Sequence, residues 1–199
     1  MLIRLQDKDS ALLEWFIRDI GGNKEQIKHN KVKKSYVSKK EFYYQADLVL
    51  NSKDMINDLL DLNMPMLKKE CDPSLIKIAM KLRPAFMRGI WDGDGCLYSK
   101  WVKNGMGEYK AFRVKFSLAG SKKTCSEFSC HMGYWGKNIR HLSNKTWTFD
   151  TSIVKSISKI YNKLYCDNGP FLARKRNKFH VAMHHLSIPL PINCIEAAI

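Results

Sequence analysis

The stretch RPAFMRGIWDGDGCLYSK, residues 83–100, carries the densest local constraints in the chain. Pro84 suits the first turn of a helix, where its missing N–H would have no partner. Phe86, Met87, Ile90 and Trp91 then recur at helical spacing and give that helix an apolar face. Gly89 falls mid-helix, where glycine costs about 1 kcal/mol relative to alanine. Close approach of another backbone is a physical reason to keep it. Asp92 and Asp94 lie at the carboxyl end, the unfavourable end of the helix dipole for an anion. Flanked by Gly93 and Gly95, these acids need a compensating cation or donor. A divalent metal on Asp94 would supply one, since carboxylates and carbonyls suit Mg²⁺. An Asp-Gly turn into a hairpin satisfies the same four residues, and the residues alone leave both readings open.

Downstream, YKAFRVKFSL (109–118) alternates Phe112, Val114, Phe116 and Leu118 with Arg113, Lys115 and Ser117. That is a half-buried strand with a basic outer face. Ser121 opens a helix with Cys125, Phe128 and Met132 on one side. A hairpin, KNIRHLSNKTWTFD (137–150), turns at Ser143-Asn144. Ser152 is positioned to cap a helix carrying Ile153, Ile157, Ile160 and Leu164. Upstream, the same order is already present. Ile3 to Gln6 alternates as a strand, and residues 9–20 place Leu12, Leu13, Phe16, Ile17 and Ile20 on one helical stripe that Gly21-Gly22 ends. Residues 25–50 read as a twisted hairpin with Phe42, Tyr44, Ala46, Leu48 and Leu50 on one face. Ser52 caps a helix with Met55, Ile56, Leu59 and Leu60 inward. NMPMLKKECDPS (63–74) reads as a loop.

Corresponding positions in the two passages lie 111 (Ile3 and Val114), 100 (Ser52 and Ser152) and 105 (Leu67 and Leu172) residues apart. Similar offsets with element order preserved indicate a diverged internal duplication. The chain then divides into a first repeat over 1–83, a second over 84–180 and a tail over 181–199. The helix and strand of residues 84–101 have no counterpart before Ile3, so the first repeat is expected to be truncated at its front.

The 199 residues hold 34 Lys+Arg against 19 Asp+Glu, a formal net charge of +15 that points to a polyanionic partner. The basic residues are spread through strand-like and helix-like segments, not gathered in the amphipathic helix or polybasic tail that an anionic membrane requires. With 45% hydrophobic residues the chain can bury a core. No run approaches a membrane span and no leader is evident. Six cysteines without a CxxC read as reduced thiols, mostly packed as small hydrophobes, in a cytosol-like compartment. His180 and His184 stand four apart on a helix but have no evident third ligand, and a polar helix face explains them better than zinc. No glycine-rich phosphate loop or GxSxG elbow is present.

MRGIWDGDG (87–95) resembles the signature of the LAGLIDADG homing endonucleases, closest to the variant in which FxRGxxDGDG leads into a strand. LQDKDSALLEWFIRDIGG (5–22) is similar to the helix following the first saddle strands of that family. IYNKLYCDNGPFLARKRNKF (160–179) is similar to its closing segment, so the resemblance covers most of residues 1–180. It implies an α+β fold: duplicated αββαββα units whose antiparallel sheets form a saddle over the DNA major groove. It also implies cleavage of both strands of double-stranded DNA at a long site, with Mg²⁺. Carried over by position, Asp94 is the metal-binding and catalytic acid, and the Gly93 carbonyl can face the metal. Gly89 and Asp92 belong to the helix–helix interface. Lys100, Lys110, Arg113, Lys115, Arg140 and Lys145 are candidate DNA contacts in the second repeat, with Lys28, Lys31, Lys33 and Lys34 in the first.

The chain departs from the two-unit pattern by showing one motif helix, since Ile76 to Lys81 lacks an acid-glycine end. A homodimer through the 84–95 helix would supply a second. The family's basic residue at the end of the second hairpin is replaced by Asp150-Thr151, leaving that role unassigned. The alternative is a DNA- or RNA-binding relative, an intron maturase or repressor that no longer cleaves. An intracellular location, cytoplasmic or in an organelle matrix, goes with either reading.

Overall fold

The computed structural model describes residues 1–33, 42–64, 76–103, 105–143, 146–167 and 169–189, and of Tyr109 and Lys110 the backbone. The 63–74 loop beyond Met64, the Ser143-Asn144 turn beyond Ser143, Lys34, Lys145 and the end of the tail lie outside them. The chain divides into two compact units, Met1–Asp61 and Leu62–Ile199. The boundary therefore precedes the 83/84 division expected from the repeat. The Lys77 N–H donates to the Leu62 carbonyl (3.0 Å), tying this connecting segment back within the second unit.

In the first unit, β1 (Leu2–Gln6), β2 (Ile27–Lys33) and β3 (Phe42–Val49) form an antiparallel sheet in the order β1-β3-β2. Ile3 opposite Leu48 and Leu5 opposite Ala46 set the core row. Helix α1 (Ser10–Asp19) covers it with Leu13 and Ile17, and Gly21 ends the helix with φ +73°. Phe42 and Tyr44 continue the apolar row of β3 but are 40% and 59% exposed. Pairing with β1 stops at Gln45, so this end of β3 runs past the core with β2 alone beside it. Helix α2 (Lys53–Asp61) starts where the Ser52 hydroxyl accepts the Met55 N–H (3.1 Å). It leans on the core through Met55 yet buries no residue completely, and Leu60, expected inward, is 45% exposed.

The second unit begins with α3 (Arg83–Asp94), which runs directly into β4 (Gly95–Lys103) and β5 (Tyr109–Gly120). Helix α4 (Lys122–Met132), strands β6 (Ile139–Ser143) and β7 (Thr146–Thr151), and helices α5 (Val154–Leu164) and α6 (Ala173–His185) follow. The sheet is antiparallel in the order β4-β5-β7-β6. Cys125, Phe128 and Met132 of α4 are fully buried, as the spacing predicts, and the Ser121 hydroxyl caps the helix at the Thr124 N–H (3.1 Å). Ile157, Ile160 and Leu164 of α5 are buried too. Its start differs from expectation: Ile153 is the N-cap, no side chain caps the helix, and the Thr151 hydroxyl accepts the N–H of the exposed Ile153 (3.2 Å) just before it. Trp91 fills the centre, stacked on Phe116 (5.4 Å) and tilted on Phe179 (5.0 Å).

Strand order β5-β7-β6 with α4 and α5 repeats β1-β3-β2 with α1 and α2, so the inferred correspondence extends to sheet topology. Among the described residues, α3, β4 and α6 have no counterpart in the first unit. The cysteines depart from the sequence reading: Cys125 is buried, whereas Cys96, Cys130 and Cys166 are exposed thiols on outward-facing positions. No described helix is long and apolar enough to cross a membrane.

Candidate functional site

Helical rotation divides the signature of α3 into three faces. Met87 and Trp91, four residues apart, enter the core. Arg88 and Asp92, the next pair round, meet the segment joining α5 to α6. Arg88 is 1% exposed and donates to the carbonyls of Leu164 (2.9 Å) and Pro170 (2.9 Å) and to the Asp167 carboxylate (2.7 Å). Asp92 accepts the Leu172 N–H (2.8 Å) and, more weakly, the Tyr165 hydroxyl (3.4 Å). Burial raises the Asp92 carboxyl to about 6 against these stabilising partners. Burial and the Asp92 charge likewise push the Tyr165 hydroxyl upward, keeping it a proton donor. Gly89 and Gly93 form the third, exposed face, where an added Cβ at either would meet no atom within 4 Å.

The compensating cation and donor that the acids at this helix end require are both present. Lys175 of α6 is 6% exposed and extends its ammonium to the Trp91 (2.9 Å) and Gly95 (2.6 Å) carbonyls. A cation on terminal carbonyls complements the helix dipole where anions do not. Burial nevertheless lowers the Lys175 ammonium to about 8, with Asp92 and Asp94 opposing the shift. The same ammonium lies 4.9 Å from the Trp91 ring centre. Lys175 thus fixes the chain on both sides of Asp94, which closes α3 as an exposed carboxylate.

These contacts separate residues that the sequence reading grouped. Asp92, expected beside Gly89 at a helix interface, instead anchors the segment before α6. It lies on the adjoining face because three residues advance a helix by most of a turn. Asp94 and Gly93 remain outward at the carboxyl end, and their hard oxygen donors suit Mg²⁺. Among the described residues no group of three His, Cys, Asp or Glu is clustered for a metal. Mg²⁺ commonly takes one or two carboxylates together with water and substrate phosphate, so one exposed Asp fits such a site in part. The Trp91 and Gly95 carbonyls are already engaged by Lys175.

Strand register places the basic candidates. Cys96, Tyr98 and Lys100 of β4 oppose Ser117, Lys115 and Arg113 of β5 on the face away from the core. Arg140 of β6 joins that face opposite Thr148 of β7. Arg140 donates to Asp150 through Nε (2.7 Å), and the Lys115 ammonium lies 3.4 Å from the same carboxylate. Lys110 belongs to β5 beside the register irregularity at Val102/Lys103. In the first unit, Lys28 opposes Asp47 on the outer face, whereas Lys33 opposes Phe42 on the core-side row. Five residues apart in a strand, Lys28 and Lys33 cannot share a face. Lys31 follows Lys33, with its ammonium 4.4 Å from the centre of the Phe42 ring.

Sequence reasoning missed Arg4, Asp47, Arg88 and Lys175 as site-forming residues. Asp47, 8% exposed on the outer face, accepts from Arg4 Nε (2.8 Å) and Nη2 (3.1 Å), from Asn30 (3.1 Å) and from Gln45 (3.1 Å). These hydrogen bonds, led by Arg4, hold its carboxyl below the usual carboxylate range. The advance signal was a polar pair, Gln45 and Asp47, at alternating spacing in a mostly apolar strand. His180, read from the sequence as part of a polar helix face, is half-buried and pairs with the hydroxyl of the buried Tyr161 (2.7 Å).

No family model matches the sequence, and no curated protein does. Solved structures do match. I-GzeII, a LAGLIDADG homing endonuclease in complex with DNA target, covers 98% of this chain and 84% of that chain at 15% identity, TM-score 0.56. I-SmaMI, bound to uncleaved DNA target in the presence of calcium ions, covers 94% and 80% at 13% identity, TM-score 0.57. The LAGLIDADG meganuclease I-AabMI, bound to uncleaved DNA, covers 94% and 81% at 16% identity, TM-score 0.51. Other matches span 51–52% of this chain and 65–69% of the neighbour, at TM-scores of 0.39–0.40. The chain has the α+β fold of the LAGLIDADG homing endonucleases.

Proposed function

We propose that this chain is a site-specific double-strand DNA endonuclease of the homing class, with Asp94 as its metal-binding catalytic acid. The observation that carries the reading is an exposed carboxylate at the end of a helix otherwise anchored by Arg88, Asp92 and Lys175. The family resemblance of residues 87–95 gives that carboxylate its role, and the DNA-bound neighbours support the partner. The outer rows of Lys100, Arg113, Lys115 and Arg140, and of Lys28 and Arg4, provide cations for phosphates and forks for base edges. Mg²⁺, when bound at Asp94 with the Gly93 carbonyl, supplies polarisation of the scissile phosphate and activation of water. Asp94 provides an anionic oxygen, while Lys175 holds the peptide on either side of it.

Residence in an intron or intein as a mobile element, inside the cytoplasm or an organelle, belongs to the same proposal. The second reading is a DNA- or intron-RNA-binding relative without cleavage. It is favoured by the single acid-glycine helix end among the described residues, half of the acid pair of a two-unit enzyme. Pairing of the 84–95 helix with a second copy would complete that pair.

Sequencing of the ends produced from a duplex DNA library in Mg²⁺ tests the reading. Discrete double-strand cuts are expected, lost in Asp94→Asn while duplex binding persists. An Asp94→Asn protein that still cuts overturns the assignment. Wild-type binding without cuts supports the second reading, with intron RNA competing best for a maturase. Binding should fall steeply with salt, as counterions are released from several phosphates.

A further inference from the structure

We infer that Arg4 and Arg140 are guanine-reading arginines, each pre-set for that task by one carboxylate, Asp47 and Asp150. This rests on the DNA-binding reading above and adds which residues select sequence. Strands β3 and β7 hold equivalent places in their sheets, and each carries one outward aspartate. Each directly follows a core residue, Ala46 opposite Leu5 and Phe149 opposite Leu118, and faces outward. Each then grips an arginine on that outer face, Arg4 through Nε and Nη2 and Arg140 through Nε. In both pairs the arginine side chain is 55% exposed, and the carboxylate is 11% (Asp47) or 21% (Asp150).

The geometry explains why an acid belongs on a face that would meet phosphate. An unengaged carboxylate there repels DNA. One that takes the Nε side of a guanidinium leaves the Nη1–Nη2 end as a fixed fork. That fork matches the O6 and N7 acceptors of guanine in the major groove. Fixing it beforehand reduces the side-chain freedom lost on binding. Asn30 and Gln45 also donate to Asp47, holding the carboxylate and so the arginine. The arginines come from different neighbouring strands, Arg4 from β1 directly opposite Asp47 and Arg140 from β6 opposite Thr148. A surface ion pair adds little to stability by itself, so folding alone does not account for two such pairs.

The test is selection from a randomised DNA duplex library, without added metal, by wild-type, Arg4→Lys, Arg140→Lys and Asp47→Asn proteins of verified thermal stability. Wild-type is expected to select guanine at separate positions. Arg4→Lys should lose one preference and Arg140→Lys another, each by about tenfold. Asp47→Asn should relax the position that Arg4→Lys relaxes while keeping or raising affinity for bulk duplex, because an anion is removed. Uniform weakening across all sequences, or unchanged preferences, overturns the arginine assignment alone. A folded wild-type that binds no duplex overturns the DNA-binding reading beneath it. Should Asp47→Asn fail to fold, Asp150→Asn decides in its place: it should relax the position that Arg140→Lys relaxes, and an unchanged preference there overturns the pre-setting.

Discussion

Strands β1, β3 and β2 with α1 and α2 follow the plan of β5, β7 and β6 with α4 and α5, but among the described residues six buried apolar side chains form the first unit's core and eighteen the second's. The corresponding helices α2 and α5 show where the difference arises. Both carry apolar residues at three-four spacing. Helix α5 buries Ile157, Ile160, Tyr161 and Leu164, because α3 packs beside it, whereas α2 buries no residue completely. An amphipathic stripe needs a covering element as well as a pattern. The helix that supplies cover in the second unit is also the one whose end presents Asp94, so core and site share one support.

Breaking that support should produce the largest effect. Arg88→Ala leaves the Leu164 and Pro170 carbonyls without their donor and removes a buried cation from Asp167. It should destabilise the second unit by roughly 1–3 kcal/mol for each orphaned carbonyl, with little from the half-exposed Asp167. Urea unfolding can separate the units, since Trp15 reports the first and the remaining tryptophans the second. A shifted second transition with an unchanged Trp15 signal is expected. Equal shifts in both would break the comparison.

The two buried carboxylates sharpen it further, because their environments act in opposite directions. Asp47 has its carboxyl lowered by Arg4, so its contribution is present above the ordinary carboxylate range and lost as pH falls through its folded value. Asp92 is raised to about 6 by burial, so its ionised form opposes folding at neutral pH. Stability from this group should increase as pH falls from about 6 towards about 4, by about 2–3 kcal/mol. Unfolding free energies of wild-type and Asp92→Asn across that window should differ in slope, and Asp47→Asn should differ in the reverse sense below it. Parallel curves would show that the two carboxylates are energetically alike.

Cap removal comes next. Ser52→Ala and Ser121→Ala each delete a hydroxyl that accepts a first-turn N–H, at about 1 kcal/mol. Since α2 has little burial to hold it, the first should also reduce helical circular dichroism locally, whereas α4 stays folded on Cys125, Phe128 and Met132. Both caps were legible in the sequence, as were the alternating strands and the α3 end, because each depends on neighbours within a few residues. Arg88 and Lys175 were not: their partners are about 80 residues away, and side-chain identity does not disclose which distant carbonyl a cation will meet. The expected Ser152 cap of α5 was misplaced for a smaller reason: the helix starts one residue later, after Ile153, with no side-chain cap, and the Thr151 hydroxyl takes the Ile153 N–H just ahead of it. The split between Lys28 and Lys33 was readable from strand parity, yet grouping by charge concealed it.

The smallest effect bears on the exposed face of α3. Glycine is there a poor helix former with no steric reason visible in its surroundings, because a Cβ at Gly89 meets nothing within 4 Å. Gly95, at the end of the same helix, is the contrast: its Cβ would overlap the Trp91 ring and carbonyl. Gly89→Ala should therefore stabilise the free chain by about 0.5–1 kcal/mol, through reduced backbone freedom in the unfolded state. If a second helix docks against this face during DNA cleavage, the same substitution should weaken that docking and lower activity while melting temperature rises. A variant that is both more stable and fully active would show that no backbone approaches Gly89 in the working protein. The helix end that carries Asp94 would then have to act without a partner helix on that face.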